Sequence, residues 1–421
     1  MAIILRDAVW GDLELESELV DLLQCAELQR LRWIRQLGTA NLVYPSANHT
    51  RFEHSLGTCH VAGRMLTQLE VSDPELRRLV QVAALVHDVG HVPFGHTFED
   101  ERRIFPRHDG PERTAHFLGE GTQLGQALER LGLREQLLGF FGAGGVAPPA
   151  LVSDLVSGTI CSDLLDYLAR DAFFTGIRRT YDERLFRYFA LRDGRLVLRL
   201  AKGGLRREDA FSEVVHLLRL RYTLTERVYF HHAKVSSGAL ISKLVERAVK
   251  GGLVVEDLYR VGDEGLLNLL GDRYAPSDPV LSRLLEDLRA RRLPKRAYVL
   301  TRRVGAELQE DLIARFHRDP AQRERVEGEL ERDLGLEQGE VILYCPARGM
   351  AQKEARVRVE VGGGEVVSLA DLELREVSDL LEKHQDLWKF YVFISPRRAD
   401  LRPQLAAACQ ERFGVPSELS F

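Results

Sequence analysis

The distribution of histidine constrains this chain more than any other feature of its 421 residues. Of the thirteen histidines, eight lie between His49 and His116, where a uniform spread would place about two. Such a concentration needs a chemical reason. The clustered residues are His49, His54, His60, His87, His91, His96, His108 and His116.

The sharpest element of the cluster is LVHDVGH, residues 85–91, which ends the apolar run VQVAALV. We expect His87 and Asp88 to lie on a buried helix. Burying an ionised carboxylate beside an imidazole costs several kcal/mol unless a partner compensates it, and a divalent cation would compensate both groups. His91 follows His87 by one helical turn and is predicted to face the same cavity. Gly90 and the following VPFGH indicate that the helix ends there.

An HD dipeptide alone carries little information, because it is more often a pair of polar residues bonded to each other. Two further segments change that balance. RFEHSLG places His54 on a second helix, and CSDLLDYLARD supplies Asp163. Two imidazole nitrogens and two carboxylates suit iron, manganese or zinc, with positions left for water and substrate.

The spacing of apolar residues predicts helices through most of the first 250 residues. Beyond about residue 290, the segments RAYVLTR, EVILYCPA, ARVRVEVGG, EVVSLADL and KFYVFIS have the alternation and β-branched content of strands. We therefore predict a mainly α fold, with a helical core over residues 1–285 and a smaller C-terminal α+β unit over residues 286–421.

Composition excludes several classes of protein. A net charge of -5 argues against a general nucleic-acid coat protein, and no apolar run reaches the ~18 residues of a membrane span. The first residues do not resemble a signal peptide. Five cysteines without CxxC spacing indicate neither a disulfide framework nor a zinc knuckle. We expect a cytoplasmic protein.

The motifs HTRFEHSLG, AALVHDVGHVPFGHTFE, the His108–Asp109 pair and DLLDYLARDAFFTG, in this order, resemble the HD-domain phosphohydrolases. Within that family the chain is most similar to the deoxynucleoside triphosphate (dNTP) triphosphohydrolase branch, which includes the human sterile-alpha-motif/HD enzyme. AELQRLRWIRQLGTANLVYPSA fits that branch too. The resemblance covers roughly residues 3–250, and we expect no sterile-alpha-motif domain. It implies a divalent transition metal, with Mg²⁺ accompanying the nucleotide, on the ligands His54, His87, Asp88 and Asp163.

The resemblance also implies a reaction, in which metal-activated water attacks the α-phosphorus of a dNTP and releases deoxynucleoside and triphosphate. A homo-oligomer, dimer or tetramer, is implied as well. His49, His60 and His116 are predicted to be packing or surface residues. The residues implied in catalysis are His91, His108, His96 and Asp109, the last standing where a glutamate is more usual. Those implied in substrate binding are Arg51 and Arg221 for the phosphates and Gln36, Leu37, Tyr167, Asp171 and Tyr229 for the sugar and base.

Several positions depart from the pattern of that branch. Leu164 stands where a lysine contacts phosphate, Thr225 and Phe230 replace a histidine and a glutamine near the nucleotide, and Gln24 replaces an aspartate that selects guanine. Base and sugar preference and nucleotide activation therefore stay open. One alternative is an HD-type nuclease, phosphodiesterase or nucleotidase acting on nucleic-acid ends or monophosphates. Another is a non-catalytic nucleotide-sensing module, which would not need both the ligands and the flanking histidines.

Overall fold

The computed structural model of the chain describes residues 3–347 and 353–420. Helices dominate it, and the prediction of a mainly α fold with a smaller α+β unit is confirmed. No helix in the described part is long and apolar enough to cross a membrane. The α-helices are α1 (Ser17–Leu23), α2 (Ala26–Gln29), α3 (Arg51–Gln68), α4 (Pro74–Val86), α5 (Pro111–Phe117), α6 (Gln123–Arg130), α7 (Arg134–Phe140), α8 (Ala150–Val156), α9 (Ser162–Thr175), α10 (Glu208–Leu224), α11 (His232–Lys250), α12 (Asp263–Leu269), α13 (Pro279–Arg289), α14 (Ala306–Leu312), α15 (Pro320–Asp333), α16 (Arg375–Gln385) and α17 (Arg402–Phe413).

The strands form small sheets rather than one large one. The N-terminal strands pair as an antiparallel hairpin, β1–β2, and the other sheets have the orders β10-β9-β4-β3, β7-β11-β8 and β5-β6. All the strand segments predicted beyond residue 290 contain strands. The bounds are β1 (Ile3–Asp7), β2 (Gly11–Leu15), β3 (Phe189–Arg192), β4 (Arg195–Arg199), β5 (Ala201–Lys202), β6 (Leu205–Arg206), β7 (Lys295–Thr301), β8 (Val341–Tyr344), β9 (Arg358–Glu360), β10 (Val366–Ser368) and β11 (Lys389–Ile394).

Helix α3 begins at a capping box, because the hydroxyl of Thr50 accepts from the backbone N–H of Glu53 and the carboxylate of Glu53 accepts from the backbone N–H of Thr50. Helix α4 begins at Asp73, whose carboxylate caps the backbone, with Pro74 in the first turn. These signals fix where each helix starts. They thereby fix the phase in which the side chains of α3 and α4 meet.

Helix α4 ends at Val86, and His87 and Asp88 lie in the turn that follows. The sequence predicts instead that this pair lies within the helix and that the helix ends near Gly90. The difference has a physical consequence, since the pair leaves the helix where the apolar face of α4 is completely buried. The Nε2 atom of His87 thus faces His54 of α3 and Asp163 of α9, and the carboxylate of Asp88 faces Arg51 and His54 of α3.

The residues that the structure describes form two hydrophobic clusters. The larger extends from the N-terminal hairpin through the helices to β11, and the smaller joins the sheet β7-β11-β8 to helices α14, α15 and α17. The sheet β10-β9-β4-β3 pairs β4 with β9 in parallel, at Leu198 and Val359. It therefore links residues on both sides of position 285/286, where the division into two units stays a prediction.

Candidate functional site

Three segments bring four polar side chains to one point. Helix α3 supplies His54, the turn after α4 supplies His87 and Asp88, and the first turn of α9 supplies Asp163. Nε2 of His54 lies 3.2 Å from Nε2 of His87 and 3.1 Å from Oδ1 of Asp163. Oδ1 of Asp88 lies 3.5 Å from Nε2 of His87. Separations of this size are expected between ligands that share one cation at bond lengths of about 2.0–2.2 Å.

The Nδ1 atom of each of the two imidazoles has a hydrogen-bond partner of its own. Nδ1 of His54 lies 2.8 Å from Oδ2 of Asp166, and Nδ1 of His87 lies 2.8 Å from the carbonyl oxygen of Ala84. When both rings are neutral and both Nδ1 atoms donate, the lone pairs of both Nε2 atoms point toward the shared space. This is the arrangement that metal-binding histidines require.

The site favours positive charge. Burial disfavours the imidazolium form of His54, but the carboxylates of Asp163 and Asp166 outweigh burial and raise the pKa of His54 to about 10. Burial also opposes ionisation of Asp88, yet His87 and Arg51 hold the pKa of Asp88 well below its usual range. A field that attracts a proton this strongly also attracts a divalent cation. The donor set and the field therefore both fit a metal such as iron, manganese or zinc.

A second group of histidines adjoins the first. The rings of His91 and His108 stack with centroids 3.5 Å apart, and the ring of His96 lies 4.8 Å from that of His91. Nε2 of His91 lies 3.2 Å from Oδ1 of Asp88. Burial, followed by the charges of Arg51 and His108, lowers the pKa of His91 well below its usual range. Burial and the neighbouring positive charges thus favour the neutral form of His91, and its Nδ1 has no hydrogen-bond partner in the described part of the chain.

His108 is oriented by a residue that the sequence did not indicate. Its Nδ1 lies 2.9 Å from Oε2 of Glu99, whose other oxygen accepts from Arg113 at 2.5 Å. Asp109, the predicted catalytic neighbour, is instead a half-exposed residue that accepts from Arg107 at 2.9 Å. The carboxylate that contacts the ring of His108 is thus Glu99. Glu99 lies nine residues before His108 in the sequence, and no periodic pattern of residues indicates this contact.

Four of the predicted substrate-binding residues lie together beside His54, namely Tyr167, Asp171, Arg221 and Tyr229. The ring of Tyr167 lies 6.4 Å from that of His54, and the guanidinium of Arg221 lies 5.1 Å and 5.3 Å from the ring centroids of Tyr167 and Tyr229. The hydroxyl of Tyr229 donates to Oδ2 of Asp171 at 2.6 Å. These side chains therefore form one wall beside the candidate ligands.

Other predicted positions lie in different surroundings. His49, expected to be a packing or surface residue, is buried with Nε2 2.8 Å from Oδ1 of Asp171. Arg51 donates to Oδ2 of Asp88 at 2.6 Å. Gln36 and Leu37 are partly buried, and the side-chain oxygen of Gln36 has no hydrogen-bond partner among the described residues. Asp166, which the sequence analysis missed, follows Asp163 by three residues, a helical spacing that could have indicated it.

Two glycines of the motifs allow these close approaches. A β-carbon on Gly57 would overlap the carboxylate of Asp166 and the guanidinium of Arg170, and one on Gly90 would overlap the carbonyl oxygen of His108. Gly57 thus lets helix α9 press against α3 one turn beyond His54. Gly63, also on α3, has only the flexible end of Gln81 near its missing β-carbon.

We predict that Gly57→Ala lowers the free energy of unfolding by about 1–3 kcal/mol, because the new methyl group must displace buried charged partners. Gly63→Ala, the matched control on the same helix, is expected to be neutral or stabilising by up to ~1 kcal/mol, since alanine favours the helix. Urea denaturation of both variants measures the difference. Equal effects of the two substitutions would contradict the proposed close contact.

Comparisons with known proteins agree with this geometry. The profile of the HD domain matches residues 51–132, and the profile of the HD-associated region matches residues 182–418, more than half of the chain. The solved phosphohydrolase of Bacteroides thetaiotaomicron superposes with a TM-score of 0.69 at 22% identity, covering 93% of this chain and 99% of that one.

Relatives are also found by sequence. An uncharacterized protein of Methanocaldococcus jannaschii is 30% identical over 275 residues, 63% of this chain and 54% of that protein. The Dictyostelium discoideum homolog of deoxynucleoside triphosphate triphosphohydrolase SAMHD1 is 30% identical over 246 residues, 54% of this chain and 46% of that protein. The chain spans about half the length of the curated relatives it matches. It belongs to the HD-domain phosphohydrolase family, as a member in which an HD domain is joined to an HD-associated region.

Proposed function

We propose that this protein is a metal-dependent hydrolase that cleaves deoxynucleoside triphosphates into deoxynucleoside and triphosphate. The observation that carries the proposal is the convergence of the four candidate ligands beside a separate group of histidines. The similarity to dNTP triphosphohydrolases supports the choice of substrate. We also propose that the protein forms a homo-oligomer, a dimer or a tetramer, as the resemblance to this family implies.

His54, His87, Asp88 and Asp163 would hold the metal. When bound, a divalent cation of this kind polarises a phosphoryl oxygen and lowers the pKa of a coordinated water. Asp163 is the most accessible of the four, with a side chain that is 34% exposed. The candidate site is therefore open to substrate from the side of α9.

The adjoining histidines can move the proton that the reaction requires. Cleavage between the α-phosphorus and the 5′ oxygen leaves an alkoxide that must be protonated. His108 has its Nδ1 occupied by Glu99, so its Nε2 is the atom available to donate once it is protonated. His91 stacks against that ring as a neutral imidazole, and the negative charge of a bound phosphate would favour its protonated form. His96, with a half-exposed side chain, lies at the edge of the group.

The group formed by Tyr167, Asp171, Arg221 and Tyr229 suits a deoxynucleoside. Tyr167 and Tyr229 offer ring faces on either side of Arg221. Asp171 already accepts from Tyr229 and contacts His49, so a 3′-hydroxyl would have to replace or share one of those bonds. Tyr229 and Asp171 would therefore contact the sugar at its 2′ and 3′ positions and determine which hydroxyl groups the site accepts.

We expect the purified protein, loaded with Mn²⁺ or Fe²⁺, to release inorganic tripolyphosphate and deoxynucleoside in equal amounts from at least one dNTP. Chromatographic separation of the products from each of the four dNTPs measures this. The metal-stripped protein serves as control and should be inactive. Absence of tripolyphosphate, together with cleavage of single-stranded DNA or of a monophosphate, would reject the proposal.

Replacing Asp88 by alanine removes one candidate ligand and leaves Arg51 without its buried carboxylate partner. We expect Asp88→Ala to lose bound metal and activity while keeping its helical circular dichroism. Elemental analysis of the purified variant beside the wild type gives the result. Undiminished metal content would contradict the assignment of Asp88.

One observation favours a second substrate, a nucleoside monophosphate. The arginines near the site already have carboxylate partners, because Arg51 pairs with Asp88 and Nε of Arg221 lies 3.6 Å from Oε1 of Glu354. Leu164, where the dNTP triphosphohydrolase pattern has a lysine, is buried in the apolar core. Fewer available cations would suit a substrate with fewer phosphate charges.

Glu354→Gln tests how the pair Arg221–Glu354 affects phosphate charge. Releasing Arg221 should lower the KM for a dNTP about fivefold, equivalent to ~1 kcal/mol, and change the KM for a monophosphate less. Glu376→Gln is the matched control, because Glu376 pairs with exposed Arg219 on the same helix as Arg221. An unchanged ratio of the two KM values in Glu354→Gln would show that Glu354 does not set this preference.

A further inference from the structure

The carboxylate behind His54 is held by more than its own helix. Asp166 is fully buried, and Oδ2 contacts Nδ1 of His54 at 2.8 Å and accepts from Nε of Arg170 at 2.9 Å. Oδ1 accepts from Nη2 of Arg170 at 2.9 Å and from the indole N–H of Trp10 at 2.6 Å. Trp10 is 156 residues away in the sequence. Among residues 3–347 and 353–420, it is the only hydrogen-bond partner of Asp166 from outside the pair of helices α3 and α9.

Trp10 is itself anchored from two sides. It lies in the turn between β1 and β2, where Oδ1 of Asp7 accepts from the backbone N–H groups of Val9 and Trp10 at 2.8 and 2.9 Å. Oδ2 of Asp7 accepts from Nη1 of Arg170 at 2.8 Å. The same arginine therefore binds Asp166 directly and holds the turn that presents the indole to Asp166.

The direction of these bonds matters for His54. A fully ionised Asp166 is acceptor-only, so Nδ1 of His54 must donate, and in the neutral ring Nε2 then carries the lone pair that would bind a metal. Groups that hydrogen-bond the far nitrogen of a metal-binding histidine fix its tautomer and ring orientation. Loss of the indole donor would leave Oδ1 with one bond fewer and allow the carboxylate to rotate away from Nδ1.

We propose that Trp10 is a positioning residue for His54, and that the N-terminal hairpin β1–β2 thereby sets the metal affinity of the site. This inference rests on the proposed metal ligands and extends them to a part of the chain outside residues 51–132, which match the HD domain. The packing of Trp10 can be separated from its hydrogen bond. Its ring lies 6.0 Å from that of His60 and under the guanidinium of Arg64, and phenylalanine keeps an aromatic ring there without the N–H.

The test measures the dissociation constant of Mn²⁺ for metal-stripped wild type, Trp10→Phe and Asp166→Asn by calorimetric titration. Trp10→Phe should bind Mn²⁺ about tenfold more weakly, the lower end of the loss seen when outer partners of metal ligands are removed. In the Asp166→Asn background, Trp10→Phe should add little, because both changes act through one contact. Trp33→Phe is the matched control, since Trp33 is 70% exposed, and it should bind as the wild type does.

Thermal unfolding with and without Mn²⁺ separates positioning from a purely structural role. A positioning role predicts that Trp10→Phe shows a smaller metal-induced rise in Tm than the wild type, whereas loss of packing alone would lower both Tm values equally. Mn²⁺ binding by Trp10→Phe as tight as by the wild type would overturn the inference and leave the metal site standing. A wild type that binds no Mn²⁺ would overturn the proposed metal site and this inference with it.

Discussion

His54 is the point at which the helices of the site meet. One ring nitrogen contacts Asp166 and the other faces Asp163 and His87, so a single side chain of α3 touches both α9 and the turn after α4. Burying this many charges would be unfavourable without compensation. Asp166 is balanced by Arg170, which leaves the field of the remaining carboxylates directed at the space between the Nε2 atoms. The fold thus forms a space whose lining could hold a cation.

The region beyond the HD domain supports the site as well. Arg102, which lies between His96 and His108 in the sequence, is buried and donates to Glu246 of α11 and to the carbonyl oxygen of Leu343 in β8. Glu101, next to it, accepts from Lys234 at 2.7 Å. The loop carrying His96 is therefore fixed from α11 and from the C-terminal sheet. This gives the HD-associated region a physical reason to accompany the HD domain.

The sequence could predict what depends on local pattern and motif order, and not what depends on distant pairing. Helices and individual strands follow from periodicity, and the motifs name the four side chains that the structure brings together. The bond between Trp10 and Asp166 joins residues 156 positions apart, and no local pattern encodes it. The choice of Glu99 over Asp109 as the partner of His108 likewise depends on how a loop folds back. Sequence periodicity likewise does not predict the parallel pairing of β4 with β9, because the two strands are far apart in the sequence.

The most direct test of the account is the position of a bound metal. Within the described part of the chain, two groups could hold one: His54 with His87 and Asp88, and His91 with His96 and His108. A crystal of the Mn²⁺-loaded protein, with anomalous data collected at the manganese edge, locates the ion. We predict an anomalous peak about 2.0–2.3 Å from Nε2 of His54 and of His87, with the carboxylates of Asp88 and Asp163 beside it. A peak confined to the second group, or none at either, would contradict it.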